Sequence, residues 1–359
     1  MLSDEQQQDL AGRFERFAAE TAGDSPLYAT LARGLAAQPT ALELLAQAPA
    51  RQRRPNLLLA AVHDLVLAGL SHPLSAYYPS VGGDRPADDG AVRAFVDVLE
   101  EQRHGVLRRV TTRTTQTNEV GRCAALWPAL HHLAARDGRP LALVELGASA
   151  GLLLHLDRYA YDLGGPAGAP HAPVRLAPEL RGRTPDLDGH VRVASRTGLD
   201  LAPLDATDPG DARWLAACVW PENTERHARL HGALQVARAH ADLDLRRGDV
   251  VTTLPSTLAR ASDDDVLPCA FHSAALAYLR REERDTVAEA LAAAGRVRDL
   301  GWLSLEGPFL APFVDLDPPS RPDEPYLLLG LTTWTAGDRR DELLARVHPH
   351  GRWLEWLTG

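Results

Sequence analysis

The chain has 359 residues, of which 45% are hydrophobic and 24% charged, a composition typical of a globular protein with a sizeable buried core. Its 38 basic residues are all arginine and stand against 48 acidic residues, so the formal net charge is -10. The absence of lysine excludes a Schiff-base lysine, a pyridoxal-phosphate lysine and the Walker A lysine.

The charge and cysteine patterns indicate which partners to expect. An acidic chain without a basic stripe argues against a nucleic-acid partner, so we expect a small-molecule substrate. The three cysteines are far apart and form no C-x-x-C pair, which predicts neither a disulfide framework nor a cysteine-rich zinc site. The polar start and the interrupted apolar runs predict no signal peptide and no membrane span. We therefore expect a cytoplasmic location, and the oligomeric state stays open.

The first part of the chain has the hydrophobic periodicity of helices. They are predicted at Gln6–Ala19, Pro26–Ala37, Pro55–Leu70, Ala91–Leu107 and Asn118–Ala135. From Leu141 onward, short apolar runs alternate with helical segments instead, which is typical of a parallel sheet wrapped by helices. The pattern predicts a helical domain over residues 1–138 and an α/β domain over residues 139–359.

Seven strands are predicted in the second domain. They lie at Leu141–Leu146, Val191–Leu201, Leu243–Arg247, Val266–Phe271, Trp302–Glu306, Tyr326–Trp334 and Arg352–Trp356. The helices between them are predicted at Gly151–Arg158, Pro209–Val219, Glu222–Ala239, Val251–Ala261 and Arg281–Ala294. Only Arg339–Arg346, which could make a couple of helical turns, separates the last two strands, so we expect an antiparallel pair there. Two long loops, Gly164–Gly189 and Gly307–Pro325, are candidates for lids or binding segments.

The segment Leu141 to Leu154 joins a buried strand, a turn of small residues and the start of a helix. One interpretation is the G-x-S-x-G nucleophile elbow of α/β-hydrolases, with Ser149 as the nucleophile. Asp249 and His272 follow it in the order that a hydrolase triad needs. However, the elbow requires several strands before it, and about 130 helical residues precede it here, so this hypothesis ranks second.

The second interpretation takes Glu145, Gly147, Ser149 and Gly151 as the first strand and turn of a nucleotide-binding sheet. Small residues let the backbone approach a ligand, and the carboxylate can accept hydrogen bonds from it. The segment resembles motif I of class I S-adenosylmethionine-dependent methyltransferases, with Ser149 in place of the middle glycine. The spacing does not fit G-x-G-x-x-G, because Leu152 stands where the last glycine would be. A turn that binds nothing is the third possibility.

The resemblance implies roles for acidic residues that end later strands. The residue that binds the ribose would be Asp200, with Glu179 as the alternative because the segment between the first two strands is unusually long. Asp249 resembles the position that meets the adenine amino group, and it can equally be a helix N-cap.

Three further sets of polar residues are candidates for the site or its surroundings. His272 after the fourth strand and Glu306 after the fifth are predicted catalytic residues that could remove a proton from the acceptor, although a structural histidine and a turn cap are the plain alternatives. Gln116, Asn118 and Arg122 are candidate contacts to the cofactor or substrate. His227 and His231 have metal-ligand spacing but lack the H-E-x-x-H glutamate, so we interpret them as a solvated pair and predict no metal.

Several motifs together resemble the uncharacterised bacterial domain-of-unknown-function family 2332. They are Thr117–Arg122, Val144–Gly151, Leu204–Pro209, Val219–Glu222 and Glu306–Pro308. The resemblance covers nearly the whole chain but implies no reaction. The sequence thus predicts an α/β protein: an N-terminal all-helical domain, then a Rossmann-like, seven-stranded methyltransferase-type sheet with a terminal antiparallel strand pair.

The predicted function is S-adenosylmethionine-dependent methyl transfer to an unknown small-molecule acceptor, with S-adenosylmethionine as the cofactor. Two alternatives stay open. One is a Rossmann-like protein that binds a nucleotide-like ligand or a partner without catalysis, and the other is a serine hydrolase that uses Ser149.

Overall fold

A computed structural model describes residues 2–240, 242–261, 263–310 and 324–358. Its helices are α1 (Asp4–Thr21), α2 (Pro26–Leu35), α3 (Pro39–Ala46), α4 (Pro55–Leu67), α5 (Asp89–Glu101), α6 (Arg103–Thr112), α7 (Cys123–Asp137), α8 (Pro209–Ala217), α9 (Thr224–Ala239), α10 (Val250–Arg260) and α11 (Arg281–Val297). Short 3₁₀ helices include Pro73–Tyr77, Pro79–Val81 and Leu152–Arg158. Within the described residues, no helix combines the length and the apolar composition that a membrane crossing needs.

The strands begin at Leu141. They are β1 (Leu141–Leu146), β2 (Ala160–Asp162), β3 (Pro166–Gly168), β4 (Arg175–Leu176), β5 (Glu179–Gly182), β6 (Val193–Asp200), β7 (Leu243–Arg247), β8 (Leu267–Ser273), β9 (Leu300–Glu306), β10 (Leu327–Thr335), β11 (Asp338–Val347) and β12 (Trp353–Trp356). The helices before β1 and the sheet after it confirm the predicted α/β class with an N-terminal helical region.

Contacts divide the chain into two units. One comprises Met1–Thr117 with Asp208–Leu230, and the other comprises Asn118–Thr207 with His231–Gly359. This division differs from the predicted boundary at residue 138, because α7 belongs to the second unit and α8 to the first. The first unit is held together by buried apolar faces of its helices, with Phe14, Leu31 and Phe95 among the fully buried side chains.

Local sequence signals explain where the helices of the first unit begin. Ser3 caps α1 in a capping box, and the Ser25 hydroxyl accepts the Tyr28 N–H at the start of α2. Prolines occupy the first turn of α2, α3 and α4, where no backbone N–H is needed. The predicted helix Ala91–Leu107 is instead two helices, α5 and α6, that meet at Gln102.

The second unit is built on a nine-stranded sheet with the order β5-β12-β11-β10-β9-β8-β1-β6-β7. Five neighbouring strands, β7, β6, β1, β8 and β9, are parallel. Counted along the chain, their order is 3-2-1-4-5, which is the order of a doubly wound nucleotide-binding sheet. The carboxyl ends of these strands therefore meet at one edge, where open α/β sheets bind ligands.

Within the described residues the main sheet has nine strands instead of the predicted seven, and β2, β3 and β4 form a separate three-stranded sheet. Strand β5 lies inside the predicted loop Gly164–Gly189 and pairs with β12 at the far edge of the sheet. The expectation of helical turns at Arg339–Arg346 is wrong, because these residues belong to β11. Ala336 and Gly337 both have positive φ, as a two-residue type I′ turn requires, and they join β10 to β11 as a hairpin. The last two predicted strands, β10 and β12, do not pair with each other as expected, because β11 lies between them and pairs antiparallel with each.

One face of the sheet packs on α10 and α11 through an apolar cluster that includes Val144, Leu199 and Trp302. Every residue of β1 is buried, as expected for a central parallel strand covered on both faces. Most of the predicted loop Gly307–Pro325 lies outside the described residues.

Candidate functional site

The turn after β1 has an unusual backbone. Gly147, Ser149 and Gly151 all have positive φ, at 76°, 53° and 69°. The amides of Gly147 and Ala148 both donate to the carbonyl of Leu199, at 2.8 and 3.0 Å, so the turn is tied to the neighbouring strand β6. A left-handed serine costs about 1 kcal/mol more than a glycine there, and such strain clusters at functional sites.

Asp200 ends β6 directly beside this turn. Its Oδ2 accepts the Ser149 N–H at 2.8 Å, and its Oδ1 accepts the Ala202 N–H at 2.8 Å. Each carboxylate oxygen can accept a further hydrogen bond. Glu179, the alternative to Asp200, lies in β5 at the opposite edge of the sheet. Asp200 is therefore the acidic residue that the fold places next to the glycine turn.

The hydroxyl of Ser149 is buried, with the residue only 4% exposed, and it has no hydrogen-bond partner among the described residues. Burying an unpaired hydroxyl costs about 1–3 kcal/mol. A side chain that is both strained and unsatisfied in the free protein is a signal for a bound ligand.

Glu145 in β1 is 3% exposed, and its Oε2 has no partner within the described part of the chain. Burial raises the pKa of this carboxyl well above its usual range, the nearby charge of Asp200 raises it further, and Arg122 partly opposes both. Burial therefore favours the protonated form of Glu145, which can donate a hydrogen bond as well as accept one.

A cavity of about 380 Å³ opens beside the turn, within the size range of small-ligand sites. Ala150 of the turn lines it together with Pro203–Thr207, Ala237, Arg238, His240, Leu243 and Leu245. Sequence reasoning did not select these residues for the site. The segment Pro203–Thr207 follows Asp200 at the same sheet edge. This position after a predicted strand is the sequence signal that could have identified it as part of the cavity.

Two of the three polar residues predicted from the segment before α7 lie in this unit. The Asn118 side-chain amide donates to the Ala148 carbonyl in the turn, at 3.3 Å. Arg122 is buried and donates to the carbonyls of Ser273, at 3.0 Å, and Pro349, at 2.9 Å. Arg122 thus supports the end of β8. Gln116 belongs to the first unit, where it donates to Thr114.

His272 and Glu306 form a buried pair. The His272 Nδ1 lies 2.8 Å from Glu306 Oε1, which also accepts the N–H groups of Ala275, at 2.8 Å, and Leu276, at 3.0 Å. Both side chains are fully buried. Because Oε1 is the common acceptor, Nδ1 carries a proton, and in the neutral ring Nε2 then holds the lone pair. The carboxylate holds the loop after β8 in place, including Ala274 with its φ of 52°.

The remaining predicted residues have structural partners. Asp249 is exposed and accepts the Val251 N–H at 2.9 Å, so it is the N-cap of α10. The interpretation of His227 and His231 as a solvated pair is wrong for His227, which is 7% exposed. Among the described residues, no group of three or more potential ligands could hold a metal ion.

The family model for "Uncharacterized protein conserved in bacteria (DUF2332)" matches residues 11–356. The chain belongs to this family. The match spans both units, as the resemblance of the ordered motifs predicted. A search of the curated proteins finds no match to the chain.

Proposed function

We propose that the second unit binds S-adenosylmethionine at the carboxyl ends of β1 and β6 and transfers its methyl group to a small-molecule acceptor. One observation carries the proposal: the hydrogen bond from Ser149 N–H to Asp200 Oδ2. It locks the acidic residue of the second parallel strand beside the small-residue turn of the first, in a sheet of order 3-2-1-4-5. This is the arrangement that presents a carboxylate to ligand hydroxyls and a bare backbone to the rest of the ligand.

The chemistry of the donor set fits such a cofactor. Asp200 retains acceptor capacity on both oxygens, and Oε2 of Glu145 and the hydroxyl of Ser149 have no partner in the described part of the chain. Gly147 is exposed at the front of the turn, where a ligand can approach its backbone. When bound, the cofactor supplies an electrophilic methyl group on a sulfonium centre. What this chain supplies is alignment of the two reactants, since a displacement at carbon gains most from orientation.

His272 and Glu306 have different roles in the proposed reaction. Nε2 of His272 has no hydrogen-bond partner among the described residues, so in the neutral ring it is the atom that would take a proton from the acceptor. Glu306 positions the imidazole and the loop Ala274–Leu276 rather than touching the acceptor. Because both side chains are fully buried, the acceptor reaches His272 only if residues that cover it move.

The serine-hydrolase hypothesis has two features in its favour: the positive φ of Ser149, and its hydroxyl, which has no hydrogen-bond partner among the described residues. Against it, that hydroxyl has no imidazole partner in the described structure, and the His272 and Glu306 pair runs in the opposite chain order to a hydrolase triad. Methyl transfer therefore remains the better supported function.

Calorimetric titration of the intact chain with S-adenosylhomocysteine tests the proposal, with NAD and ATP as controls. We expect saturable binding that Asp200→Asn weakens by roughly tenfold or more, about 1.4 kcal/mol. Asp244→Asn is the matched control, because Asp244 is an exposed aspartate in β7 that pairs with Arg246. The affinity of this variant for S-adenosylhomocysteine should equal that of the wild type. Absence of saturable binding to folded protein would overturn the proposal. Binding without methyl transfer to any acceptor would favour the non-catalytic alternative.

A further inference from the structure

Among the described residues, a second serine has an imidazole partner of the kind that Ser149 lacks. Ser80 lies in the short 3₁₀ helix Pro79–Val81 of the first unit, and its hydroxyl is 2.7 Å from Nε2 of His63 in α4. Ser80 is partly exposed, whereas His63 has no exposed surface. The hydroxyl side of the pair is therefore accessible to solvent, whereas the imidazole ring is not.

The protonation of His63 follows from its other contact. Nδ1 lies 3.1 Å from the carbonyl oxygen of Ala217. A carbonyl can only accept, so Nδ1 carries the proton, and the neutral ring presents its lone pair at Nε2. Ser80 must then be the donor in the 2.7 Å contact. This is the proton arrangement of a hydroxyl nucleophile and its general base.

The ring is fixed by its neighbours. Tyr78 packs against it with centroids 5.2 Å apart, and the Tyr28 hydroxyl is 3.4 Å from Nδ1. Burial, together with the adjacent His227 ring, lowers the pKa of His63 to about 3. The imidazole is consequently neutral at physiological pH and its lone pair is available.

We propose that Ser80 is a nucleophile activated by His63, and that the first unit catalyses acyl transfer from a small ester or thioester to water. Three elements of nucleophilic catalysis are present: a hydroxyl within hydrogen-bond reach, a base with the correct tautomer, and a third group, the Ala217 carbonyl, that orients the base. All of these residues belong to one unit. The inference is independent of the methyltransferase proposal, which concerns the other unit.

The reaction balances with water as the only co-reactant. Ser80 Oγ attacks the acyl carbon while its proton passes to His63 Nε2. The C–O or C–S bond to the leaving group then breaks, and the leaving group takes that proton. Water then attacks the carbonyl carbon of the acyl-serine and gives one proton to Nε2. The bond between that carbon and Ser80 Oγ breaks, and Oγ takes the proton back from Nε2. Because burial opposes positive charge on the ring, we expect both acylation and deacylation to be slow with ordinary esters.

The test treats the intact chain with a fluorophosphonate probe and locates the adduct by peptide mass spectrometry. The serine oxygen displaces fluoride from phosphorus, so the adduct marks the nucleophile. We expect labelling at Ser80 that Ser80→Ala abolishes and His63→Gln slows by roughly 100-fold or more. Ser75→Ala is the matched control, because Ser75 lies in the neighbouring 3₁₀ helix and its hydroxyl donates to the Leu70 carbonyl rather than to an imidazole. Labelling of Ser80 should be unchanged in this variant.

A second measurement covers the case in which the His63 variant fails to fold. With p-nitrophenyl acetate, the wild-type chain should release a burst of nitrophenol equal to the protein concentration, and Ser80→Ala should release none. Three results would overturn the inference: no adduct at Ser80, equal labelling rates with and without His63 in folded protein, or an adduct at Ser149 instead. None of these depends on whether S-adenosylhomocysteine binds.

Discussion

The buried hydroxyl of Ser149 leads to a stability prediction of unusual sign. Most buried serines stabilise the fold through their hydrogen bonds, whereas the Ser149 hydroxyl has no partner among the described residues. Replacing it by alanine removes a desolvation cost of about 1–3 kcal/mol and keeps the same backbone. We therefore expect Ser149→Ala to raise the free energy of unfolding of the free protein by about 1 kcal/mol.

Glycine at the same position separates the effect of the hydroxyl from that of the backbone. Ser149→Gly relieves the left-handed strain, about 1 kcal/mol, but adds about 0.4–1 kcal/mol of unfolded-state freedom. The two variants should therefore have similar stability. Both predictions concern the free protein and are measured by urea unfolding followed by circular dichroism and tryptophan fluorescence.

Ser25 provides the matched comparison, because it is also fully buried but well bonded. Its hydroxyl donates to Glu222 at 2.6 Å and accepts the Tyr28 N–H at 3.2 Å. Ser25→Ala leaves both partners unsatisfied and should lower the free energy of unfolding by about 1–3 kcal/mol. If Ser149→Ala instead destabilises the protein as much as Ser25→Ala does, the hydroxyl is satisfied in the free protein and the reasoning is refuted.

Three further predictions concern other parts of the second unit. Glu145 has a folded-state pKa above its unfolded value of 4.5, so its stabilising contribution is present below pH 4.5 and is lost as the pH rises through the folded pKa. Urea unfolding at a series of pH values should therefore show Glu145→Gln gaining stability relative to the wild type, by about 1.4 kcal/mol for each pH unit between the two pKa values. A stability difference that does not change with pH would contradict this. Glu306→Ala leaves two amides and an imidazole N–H unpaired and should cost about 3–5 kcal/mol by the same assay, and a cost below about 1 kcal/mol would refute its role in holding the loop. Gly351→Ala should destabilise more than Gly69→Ala: both have positive φ, but only at Gly351 would a Cβ collide with the carbonyl of Gly121, whereas Gly69 has nothing within 4 Å. Equal melting temperatures for the two alanine variants would contradict this comparison.

The sequence predicted the elements whose signals are local. Strands β1, β8 and β9 are mostly apolar and almost entirely buried, and the prediction found them within two residues of their ends. The arginine-rich β11 was missed because its outer half is exposed and carries no apolar alternation. The two-residue turn Ala336-Gly337 was the signal that could have revealed it.

In the candidate sites, too, residues marked by local sequence were predicted, whereas contacts between distant residues were not. The glycine turn was predicted because it follows a recognisable strand, and Asp200 because it lies at the end of one, but choosing Asp200 over Glu179 needed the strand pairing. The contact of Ser80 with His63 and of His63 with Ala217 joins residues 17 and 154 positions apart, and no spacing rule encodes it. Hydrogen bonds between distant elements depend on packing, which a single sequence does not display.

A crystal structure of the chain with S-adenosylhomocysteine tests the central claim most directly. We expect the ligand hydroxyl groups to hydrogen-bond to the carboxylate of Asp200, with the ligand lying against the turn Gly147–Gly151. A ligand bound away from this turn, or a complex in which Asp200 contacts only the amides of Ser149 and Ala202, would contradict it.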